Sequence, residues 1–337
     1  RAVDADMVNF RADIEIAKEL SKHDKFYLPH NLDFRGRVYP IPSFNHQRAD
    51  FVRSLFLFAN GKKLGPDGSY WLAVHVANCG DFDKISKKSF DERVAWVNEN
   101  QDLIYAIARK PGLTKKFWHN ADKPFCFLAA CIEFAGYMEE GEDYVCHLPP
   151  AMDGANSGVQ HYSAALRDRQ AGRLVNLTDE EQPQDIYQEV ADLVNETINN
   201  DFEHTEAEQW LQFGVTRKVV KRNVMTFAYS SEQFGFRKQI IEDLMEPLRK
   251  DVLEGTLDKH PFGNDNGSKA AGYLAGRVWR SVTDVVEKAA EGMKFIQNCA
   301  AVLAHERKPL IWTSPIGLPV VHKDALIEPS RVSGQLS

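Results

Sequence analysis

The 337-residue sequence has little cysteine and no excess of positive charge. Its five cysteines are scattered, with no Cys-x2-Cys pair and no paired histidines to complete a zinc site, so they indicate reduced thiols in a cytosolic protein. The 41 Lys and Arg residues are outnumbered by 48 Asp and Glu, and the net charge is -7. This balance argues against a protein that coats nucleic acid or an anionic membrane over its whole surface, and it confines any nucleic-acid site to a local basic cleft.

Long apolar runs, targeting signals and repeats are also missing. No apolar run reaches the roughly eighteen residues of a membrane span, and no signal-peptide core or low-complexity tract is visible. We therefore expect a soluble, intracellular protein. Hydrophobic residues make up 43% of the chain, enough to build a core in two domains or one large one. The start at RAVDADMVNF, without Met, and the end at RVSGQLS predict a fragment of something longer.

Apolar periodicity predicts a mixed first half and a mostly helical second half, that is, a helix-rich α/β (α+β) fold. The predicted helices are residues 5–23, 69–79, 89–108, 124–138, 184–200 and 236–254, with one long or broken helix over 277–308 and a hairpin over 311–322. Residues 146–152 predict a buried strand that ends in a sharp turn at Asp153, and the helix after it is expected to stop at Gly172. The Gly- and Asn-rich segment 259–273 predicts a loop.

The run TRKVVKRNVMTFAYSSEQFGF, residues 216–236, spaces Arg217, Lys221, Met225 and Tyr229 four residues apart. A helix turns by about 100° per residue, so each step of four advances the stripe by only about 40°. Thr216 is a suitable N-cap, and the segment as far as Tyr229 has neither Gly nor Pro. The stripe predicts a site that holds a triphosphate and tests a sugar; the alternative is a solvated basic face.

Two further segments carry groups suited to nucleotidyl transfer. The Asp153 carboxylate and the Gly154 carbonyl, at the predicted turn, offer oxygen ligands of the kind that Mg²⁺ prefers, although an Asp-Gly pair alone is a common turn signal. In DFRGRVY, residues 33–39, Gly36 lets the backbone approach a ligand between Arg35 and Arg37, the alternative being a turn with surface arginines. Cations for phosphates, a carboxylate for metal and arginines for a nucleic-acid backbone are the separate parts that this chemistry requires.

Three segments closely resemble motifs of the single-subunit DNA-directed RNA polymerases of T-odd phages and mitochondria. They are DGANSGVQHYSAALRD, DFRGRVY and TRKVVKRNVMTFAYSSEQFGF. PFCFLAACIEFAG, LVNLTDEEQPQDIY and IWTSPIGLPV match the same family in order, so the resemblance covers nearly the whole chain. It is strongest toward the phage branch.

The resemblance implies roles for individual residues. Asp153 would be the first metal-binding aspartate and Gly154 would offer its carbonyl to the same Mg²⁺. Arg217 and Lys221 would grip the incoming triphosphate, and Tyr229 would check the sugar and fill the insertion site between steps. The catalytic candidates are therefore Asp153, Lys221 and Tyr229.

The same comparison extends the site beyond these residues. Met225 would line the nucleotide site, and Lys84, with its neighbour Asp83, matches a family pair near the nucleotide phosphates. Phe234 and Gly235 would lie near the template base. Arg35 and Arg37 would hold the hybrid close to the growing RNA end, while Gln160 and His161 are expected to be structural or to face the hybrid, the alternative being a buried, hydrogen-bonded pair.

The family implies a right-hand architecture with palm and fingers and, in this chain, an incomplete palm sheet. Residues 1–22 would end the thumb helix, 23–181 would form the first part of the palm and 182–337 the truncated fingers; the N-terminal promoter domain and the C-terminal palm would be missing. The implied partners are a DNA template, an RNA product and ribonucleoside triphosphates, with two Mg²⁺ ions in the intact enzyme. A monomer without membrane contact, in the cytoplasm of a bacterial host, is expected.

The sequence departs from the family pattern in two ways. Ser230 stands where the family usually has Gly after the tyrosine, which predicts a less easily opened helix end. The family's second metal aspartate lies in a His-Asp-Ser motif that this sequence does not contain. Because two-metal catalysis needs carboxylates from both places, we expect the isolated chain not to polymerise.

Two other functions would fit part of the pattern. Related DNA polymerases also use an Arg-x3-Lys-x7-Tyr helix, but they carry a glutamate shortly after the metal aspartate, and SGVQHYSAALRD has none. A non-catalytic nucleic-acid-binding module would keep the basic helix and show salt-sensitive binding without dependence on Asp153.

Overall fold

The structure is a computed structural model that describes the backbone of residues 2–323 and the side chains of residues 6–323. Residue 1 of the predicted thumb segment and residues 324–337 of the predicted fingers lie outside the described residues. The chain divides into two compact units, which we call unit 1 (residues up to Met152, with Ile311–Val320) and unit 2 (Asp153–Leu310, with residues from Val321 on). Among the described residues, no helix has the length and apolar character needed to cross a bilayer.

Unit 1 is mostly helical with short strands. Its helices are α1 Ala2–Leu20, α2 Asp50–Arg53, α3 Gly65–Gly80, α4 Phe90–Glu99, α5 Gln101–Arg109, α6 Lys115–Trp118 and α7 Pro124–Glu140. Its strands are β1 His30–Leu32, β2 Val38–Pro40, β3 Lys62–Lys63 and β4 Val145–Cys146. Short 3-10 turns cover Phe82–Lys87 and Gly141–Asp143. Towards the end of the described chain, β5 Leu310–Thr313 and β6 Pro319–His322 form the predicted hairpin.

Unit 2 begins with the loop around Asp153 and continues as helices. These are α8 Ser157–Leu166, α9 Arg169–Leu174, α10 Ile186–Asn199, α11 Thr205–Phe213, α12 Arg217–Phe227, α13 Gln233–Ile240, α14 Glu246–Leu253, α15 Ser268–Val285 and α16 Glu287–His305. A single π-helical turn, Ile241–Met245, joins α13 to α14. Pro247, in the first turn of α14, lacks the N–H that would continue a regular hydrogen-bond ladder back across this junction.

The described strands form three separate two-stranded sheets, β1-β2, β3-β4 and β5-β6. β1 and β2 are antiparallel and pair Asn31 with Tyr39, and β3 pairs with β4 through Lys63 and Val145. The prediction of a helix-rich chain with a small amount of sheet is confirmed. The division into thumb, palm and fingers at residues 22 and 181 stays a prediction.

The core of unit 1 lies between α3, α5 and α7. Ile104 and Ile107 lie on the buried face of α5 because they are three residues apart on the helix. They belong to one apolar cluster with Val76 of α3 and Phe127 and Phe134 of α7, all almost inaccessible to solvent. These three helices thus share the largest apolar cluster of unit 1.

The core of unit 2 is formed by α10, α11, α12, α13 and α15. Val190 and Val194 of α10 lie on the same face, as their spacing of four requires, and pack in one cluster with the buried residues of α12. Trp210 is fully buried, and its indole N–H donates to the Ala270 carbonyl oxygen at 2.9 Å. The buried residues of α12, which include Val220 and Val224, anchor this helix in the same core.

Three local predictions need correction, and a fourth is made definite. The predicted helix 89–108 is two helices, because Asn100 ends α4 and its side-chain amide donates to the Trp96 carbonyl oxygen. For the segment 277–308, the predicted alternative of a broken helix is confirmed, with the break at Val286. Gly172 does not stop a helix but lies inside α9, and the stop falls at Arg167, whose left-handed backbone (φ 55°) ends α8. In the predicted loop 259–273, α15 already begins at Ser268.

The predicted buried strand before Asp153 is wrong. β4 ends at Cys146, and residues 147–156 have no regular secondary structure. Pro149 and Pro150 have no N–H to give to a strand ladder, and the side chain of Met152 is 92% exposed. Asp153 therefore lies on an irregular segment.

Candidate functional site

α12 displays the predicted cationic stripe. Val220, Asn223, Val224 and Phe227 are buried, and their spacing of three and four residues makes one core face. Arg217, Lys221 and Met225 follow one another on the neighbouring face; we call these three residues the α12 ridge. Lys221 and Met225 are exposed, and the Arg217 side chain is 30% exposed. The helix and the shared face of these three residues are as the spacing predicts.

Tyr229 lies just beyond the helix, which corrects the prediction that the helix reaches it. α12 ends at Phe227, and the backbone N–H groups of Tyr229 and Ser230 donate to the carbonyl oxygens of Thr226 and Phe227, each at 3.0 Å. Ser230 has a left-handed backbone with φ 64°. That conformation ends the helix and costs a non-glycine residue free energy. The Tyr229 side chain remains 60% exposed, directly after the ridge.

Asp153 lies on an exposed loop, residues 152–156, which we call the aspartate loop. Its Oδ1 accepts a hydrogen bond from the Gly154 N–H at 2.9 Å, and Asp153 has no other hydrogen bond or ion pair among the residues that the structure describes. The loop ends at Asn156, whose Oδ1 caps α8 by accepting from the Val159 N–H. The carboxylate therefore faces solvent from a loop with a fixed end.

Tyr187, in the first turn of α10, connects the aspartate loop to the α12 ridge. Its side chain is only 7% exposed, and its hydroxyl donates to the Ala155 carbonyl oxygen at 3.1 Å. The Arg217 guanidinium lies 4.9 Å from the centroid of the same ring. Burial raises the pKa of Tyr187; among the charges that act on it, Arg217 lowers the pKa while Asp185 and Asp153 raise it. One phenol thus contacts both the Arg217 guanidinium and the aspartate loop.

A second close approach joins the same loop region to the far end of α12. Gly158, in the first turn of α8, lies so near Ala228 that a Cβ on the glycine would be 2.5 Å from the Ala228 Cβ. Real Cβ atoms do not approach so closely, so only glycine fits here without movement. The segment from Asp153 to Gly158 therefore contacts the start of α12 through Tyr187 and its end directly.

The two polar residues after this segment differ from each other. Gln160 is half-buried, and its amide donates to the Val175 carbonyl oxygen at 2.8 Å. His161 is exposed. The alternative of a buried pair is therefore wrong for His161, whose position on α8 leaves it open to solvent, and Gln160 has a structural contact.

Phe234 and Gly235 lie in the first turn of α13, after the turn that holds Tyr229. Phe234 is 75% exposed. A Cβ on Gly235 would lie 2.8 Å from the Ser231 Oγ. Both residues are thus on the chain segment that continues from the ridge, with an aromatic ring facing solvent.

Arg35 and Arg37 lie in unit 1, on the segment 33–39 that we call the arginine loop. The Asp33 Oδ1 accepts from the backbone N–H groups of both arginines at 2.9 Å, and its Oδ2 accepts from the Arg35 Nε at 2.8 Å. Gly36 adopts the left-handed conformation that the turn requires (φ 80°). Partial burial acts to raise the pKa of Asp33, but the hydrogen bonds from Arg37 and Arg35 hold it below its usual value.

Lys84 also lies in unit 1, on a strained turn after α3. Asp81, Asp83 and Lys84 all have left-handed backbones, with φ of 45°, 51° and 60°. Such conformations in non-glycine residues cost free energy and cluster at functional sites. The Lys84 Nζ lies 3.3 Å from the Asp81 Oδ2 and is exposed. This turn exposes the Lys84 ammonium group to solvent and holds its backbone in a left-handed conformation.

Comparison with known proteins gives the family. The sequence model of the family described as DNA-dependent RNA polymerase matches residues 62–335. The chain belongs to the DNA-dependent RNA polymerase family.

The most similar relatives include phage and mitochondrial enzymes. T7 RNA polymerase of Escherichia phage T7 is 40% identical over 91% of this chain and 38% of its own length. The DNA-directed RNA polymerase of Enterobacteria phage T3 is 39% identical over the same shares. The mitochondrial DNA-directed RNA polymerase of Schizosaccharomyces pombe is 36% identical over 93% of this chain and 27% of its own length. The chain spans less than two fifths of the length of these relatives.

The residues of this polymerase-family chain fit part of a magnesium site. Asp153 offers an exposed carboxylate, and such oxygen donors suit Mg²⁺. Within the described residues, no group of three or more His, Cys, Asp or Glu side chains could hold a metal ion. One carboxylate next to substrate phosphates is consistent with the way Mg²⁺ binds in nucleotide sites, but it does not form a metal site of protein groups alone.

Sequence reasoning missed Asp185, Tyr187 and Gly158. Asp185 and Tyr187 lie in the matched segment LVNLTDEEQPQDIY, but their contacts join residues 32 positions apart, which periodicity does not reveal. The available signal was the aspartate directly before a strongly periodic helix, a typical N-cap position. Gly158 gave no signal beyond a glycine near a helix start.

Proposed function

We propose that this chain contributes the nucleotide-binding surface and one metal-binding carboxylate of an RNA polymerase that copies DNA into RNA from ribonucleoside triphosphates. The observation that carries the proposal is the pair of contacts that tie the segment 153–158 to both ends of α12, Tyr187 against Arg217 and Gly158 against Ala228. These contacts support a site in which the exposed Asp153 carboxylate and the two cations of the α12 ridge act on one nucleotide. Family membership and the helix-rich fold support the same function.

The residues of unit 2 take the following roles in the proposal. Arg217 and Lys221 bind the triphosphate, and the Lys221 charge matters most when negative charge builds on the leaving pyrophosphate. Asp153, with the Gly154 carbonyl, holds Mg²⁺, which supplies charge stabilisation at the reacting phosphate when it is bound. Tyr229 contacts the sugar.

The family resemblance gives the remaining candidates their proposed roles. Met225 lines the nucleotide site, and Phe234 and Gly235 lie by the template base. Lys84 assists at the phosphates, and Arg35 and Arg37 hold the hybrid of DNA template and RNA product. In a right-hand architecture, unit 1 would correspond to much of the palm and the helices of unit 2 to the fingers.

The proposal is tested by ATP binding to the 337-residue chain with and without Mg²⁺. We expect Mg²⁺ to strengthen ATP binding in the wild type and not in Asp153→Asn. Lys221→Ala should weaken ATP binding by about tenfold or more, as expected for a lost charged hydrogen bond. Lys250→Ala is the matched control, since Lys250 is an exposed lysine of α14 paired with Glu254 at 3.6 Å.

The control should bind ATP like the wild type. Equal ATP affinity in wild type, Asp153→Asn and Lys221→Ala would contradict the proposal and favour a non-catalytic nucleic-acid-binding module. We further propose that the isolated chain does not synthesise RNA, because two-metal catalysis needs a second carboxylate. Mg²⁺-dependent nucleotide incorporation on a promoter-free template by the purified chain would refute this last statement.

A further inference from the structure

The side chain of Arg217 is held in one orientation from two sides. Its Nε donates to the Asp185 Oδ2 at 2.5 Å, and its guanidinium lies over the Tyr187 ring. Among the residues that the structure describes, its two terminal nitrogens have no hydrogen bond. An arginine anchored through Nε presents these two donors as a fork, the geometry that suits a phosphate.

Both partners lie at the N-terminal end of α10, and Asp185, its N-cap, makes contacts with two helices. Its Oδ1 caps α10 by accepting from the N–H groups of Tyr187 and Gln188, at 3.1 and 3.4 Å. Its Oδ2 receives Arg217. Because the carboxylate is fixed by the helix that it caps, it fixes the arginine in turn.

Tyr187 links Arg217 to the aspartate loop. It is buried, its ring supports Arg217, and its hydroxyl holds the Ala155 carbonyl two residues after Asp153. A rigid ring between two functional groups sets the distance between them. Pre-organising a flexible arginine in this way removes an ordering cost that binding would otherwise carry.

We propose that Asp185 and Tyr187 are positioning residues: they act through Arg217 and the aspartate loop to set the spacing between the triphosphate-binding cation and the metal-binding carboxylate. This inference rests on the proposed function, because it assumes that Arg217 binds phosphate. It adds two residues that act through other groups of the chain, and it gives each a separate effect. Asp185 governs phosphate affinity, and the Tyr187 hydroxyl governs the metal requirement.

The test measures ATP and AMP binding to the 337-residue chain. In Asp185→Asn, the amide still caps α10 but no longer pairs with Arg217 as an ion. We expect ATP affinity to fall about tenfold, the size of a lost charged contact, and AMP affinity to change much less. Asp168→Asn is the matched control, because Asp168 caps α9 through the Ala171 N–H at 3.1 Å. It should leave the ratio of ATP to AMP affinity unchanged.

The Tyr187 variants separate the ring from the hydroxyl. Tyr187→Leu removes the ring from beneath Arg217 and should lower the ratio of ATP to AMP affinity as Asp185→Asn does. Tyr187→Phe keeps the ring, so ATP should bind within about twofold of wild type at saturating Mg²⁺. The Mg²⁺ concentration at half-maximal ATP binding should rise, because the Ala155 carbonyl loses its partner. Far-UV circular dichroism verifies that each variant is folded.

The outcomes distinguish the inference from the function on which it rests. One outcome would overturn the positioning roles and leave the proposed function standing. In that outcome, Arg217→Ala weakens ATP binding, whereas Asp185→Asn and Tyr187→Leu keep the wild-type ratio of ATP to AMP affinity. Arg217→Ala without effect on ATP binding would overturn both. Equal losses of ATP and AMP affinity in Asp185→Asn would indicate a merely structural role and also count against the inference.

Discussion

The α12 ridge in unit 2 and the arginine loop in unit 1 both present cations to solvent, but they are supported differently. Behind the ridge lie the buried side chains of Val220, Val224 and Phe227, and Arg217 is fixed by a carboxylate 32 residues away. In the arginine loop, Arg35 is fixed by Asp33, only two residues away. Long-range support suits a ligand that must be held at several points at once, whereas a local turn can adapt to a continuous backbone.

The largest contrast should come from removing one phenylalanine in each region. Phe227 is 2% exposed and packs 5.3 Å from Trp279, ring centroid to ring centroid. Phe227→Ala should destabilise the protein by about 3–5 kcal/mol. Phe34 of the arginine loop is 54% exposed, so Phe34→Ala should cost about 1 kcal/mol or less. Urea denaturation measures both, and equal costs would show that the two regions are supported alike.

A methyl group at the contact between α8 and α12 should have the next largest effect. Ala usually stabilises a helical position relative to Gly by up to about 1 kcal/mol. At Gly158 the contact with Ala228 reverses the sign, and Gly158→Ala should destabilise by about 1–3 kcal/mol and weaken ATP binding. Gly112→Ala is the control, since a Cβ there meets nothing within 4 Å. A Gly158→Ala protein more stable than wild type would refute the close approach.

The turn after α12 should yield a smaller, favourable change. Ser230 adopts φ 64°, a conformation that costs an L-residue about 1–2 kcal/mol. A glycine at this position would avoid that cost, but it would lose more conformational freedom on folding, which offsets part of the gain. Ser230→Gly should therefore stabilise the protein by about 0.5–1 kcal/mol in thermal unfolding. Ser231→Gly, one residue later and without a left-handed backbone, should not stabilise. Identical shifts in both variants would argue against strain at Ser230.

The smallest effect concerns the pH response of the arginine loop. Because hydrogen bonds hold the pKa of Asp33 below its usual value, its contribution to stability is complete above the unfolded pKa of about 3.9. It is lost as pH falls through the lower folded pKa. An NMR titration of the Asp33 carboxyl should give a midpoint below that of an unfolded chain, and Arg35→Ala should raise it. A normal midpoint in the wild type would contradict the turn geometry.

Local sequence was enough to predict some of the features that distinguish the α12 ridge from the arginine loop. The spacing of Arg217, Lys221 and Met225 was enough to predict their common face, because helical periodicity is a local property. The strand before Asp153 was predicted from the apolar composition of the segment. The prediction was wrong because two consecutive prolines cannot donate the backbone hydrogen bonds of a strand. The breaks at Asn100 and Val286 carry neither Gly nor Pro, so the strongest local signals of a helix end are missing there.

The contacts that define the candidate site are the part that sequence could least predict. Tyr187 meets Ala155 and Arg217 across about 30 residues of chain in each direction, and its partners depend on how α10 packs. Asp185 could be predicted as a helix cap, but not as a partner of Arg217. Positions fixed by tertiary packing need the structure, whereas faces fixed by helical periodicity do not.

The central claim is that the Asp153 carboxylate and the α12 ridge meet at one nucleotide. Mn²⁺, which substitutes for Mg²⁺ and broadens nearby NMR signals, tests it directly when it is added with ATP to the 337-residue chain. We predict that the signals of Lys221, Arg217 and Gly154 broaden together in the wild type and stay sharp in Asp153→Asn. Broadening that spares α12, or that persists unchanged in Asp153→Asn, would contradict the claim.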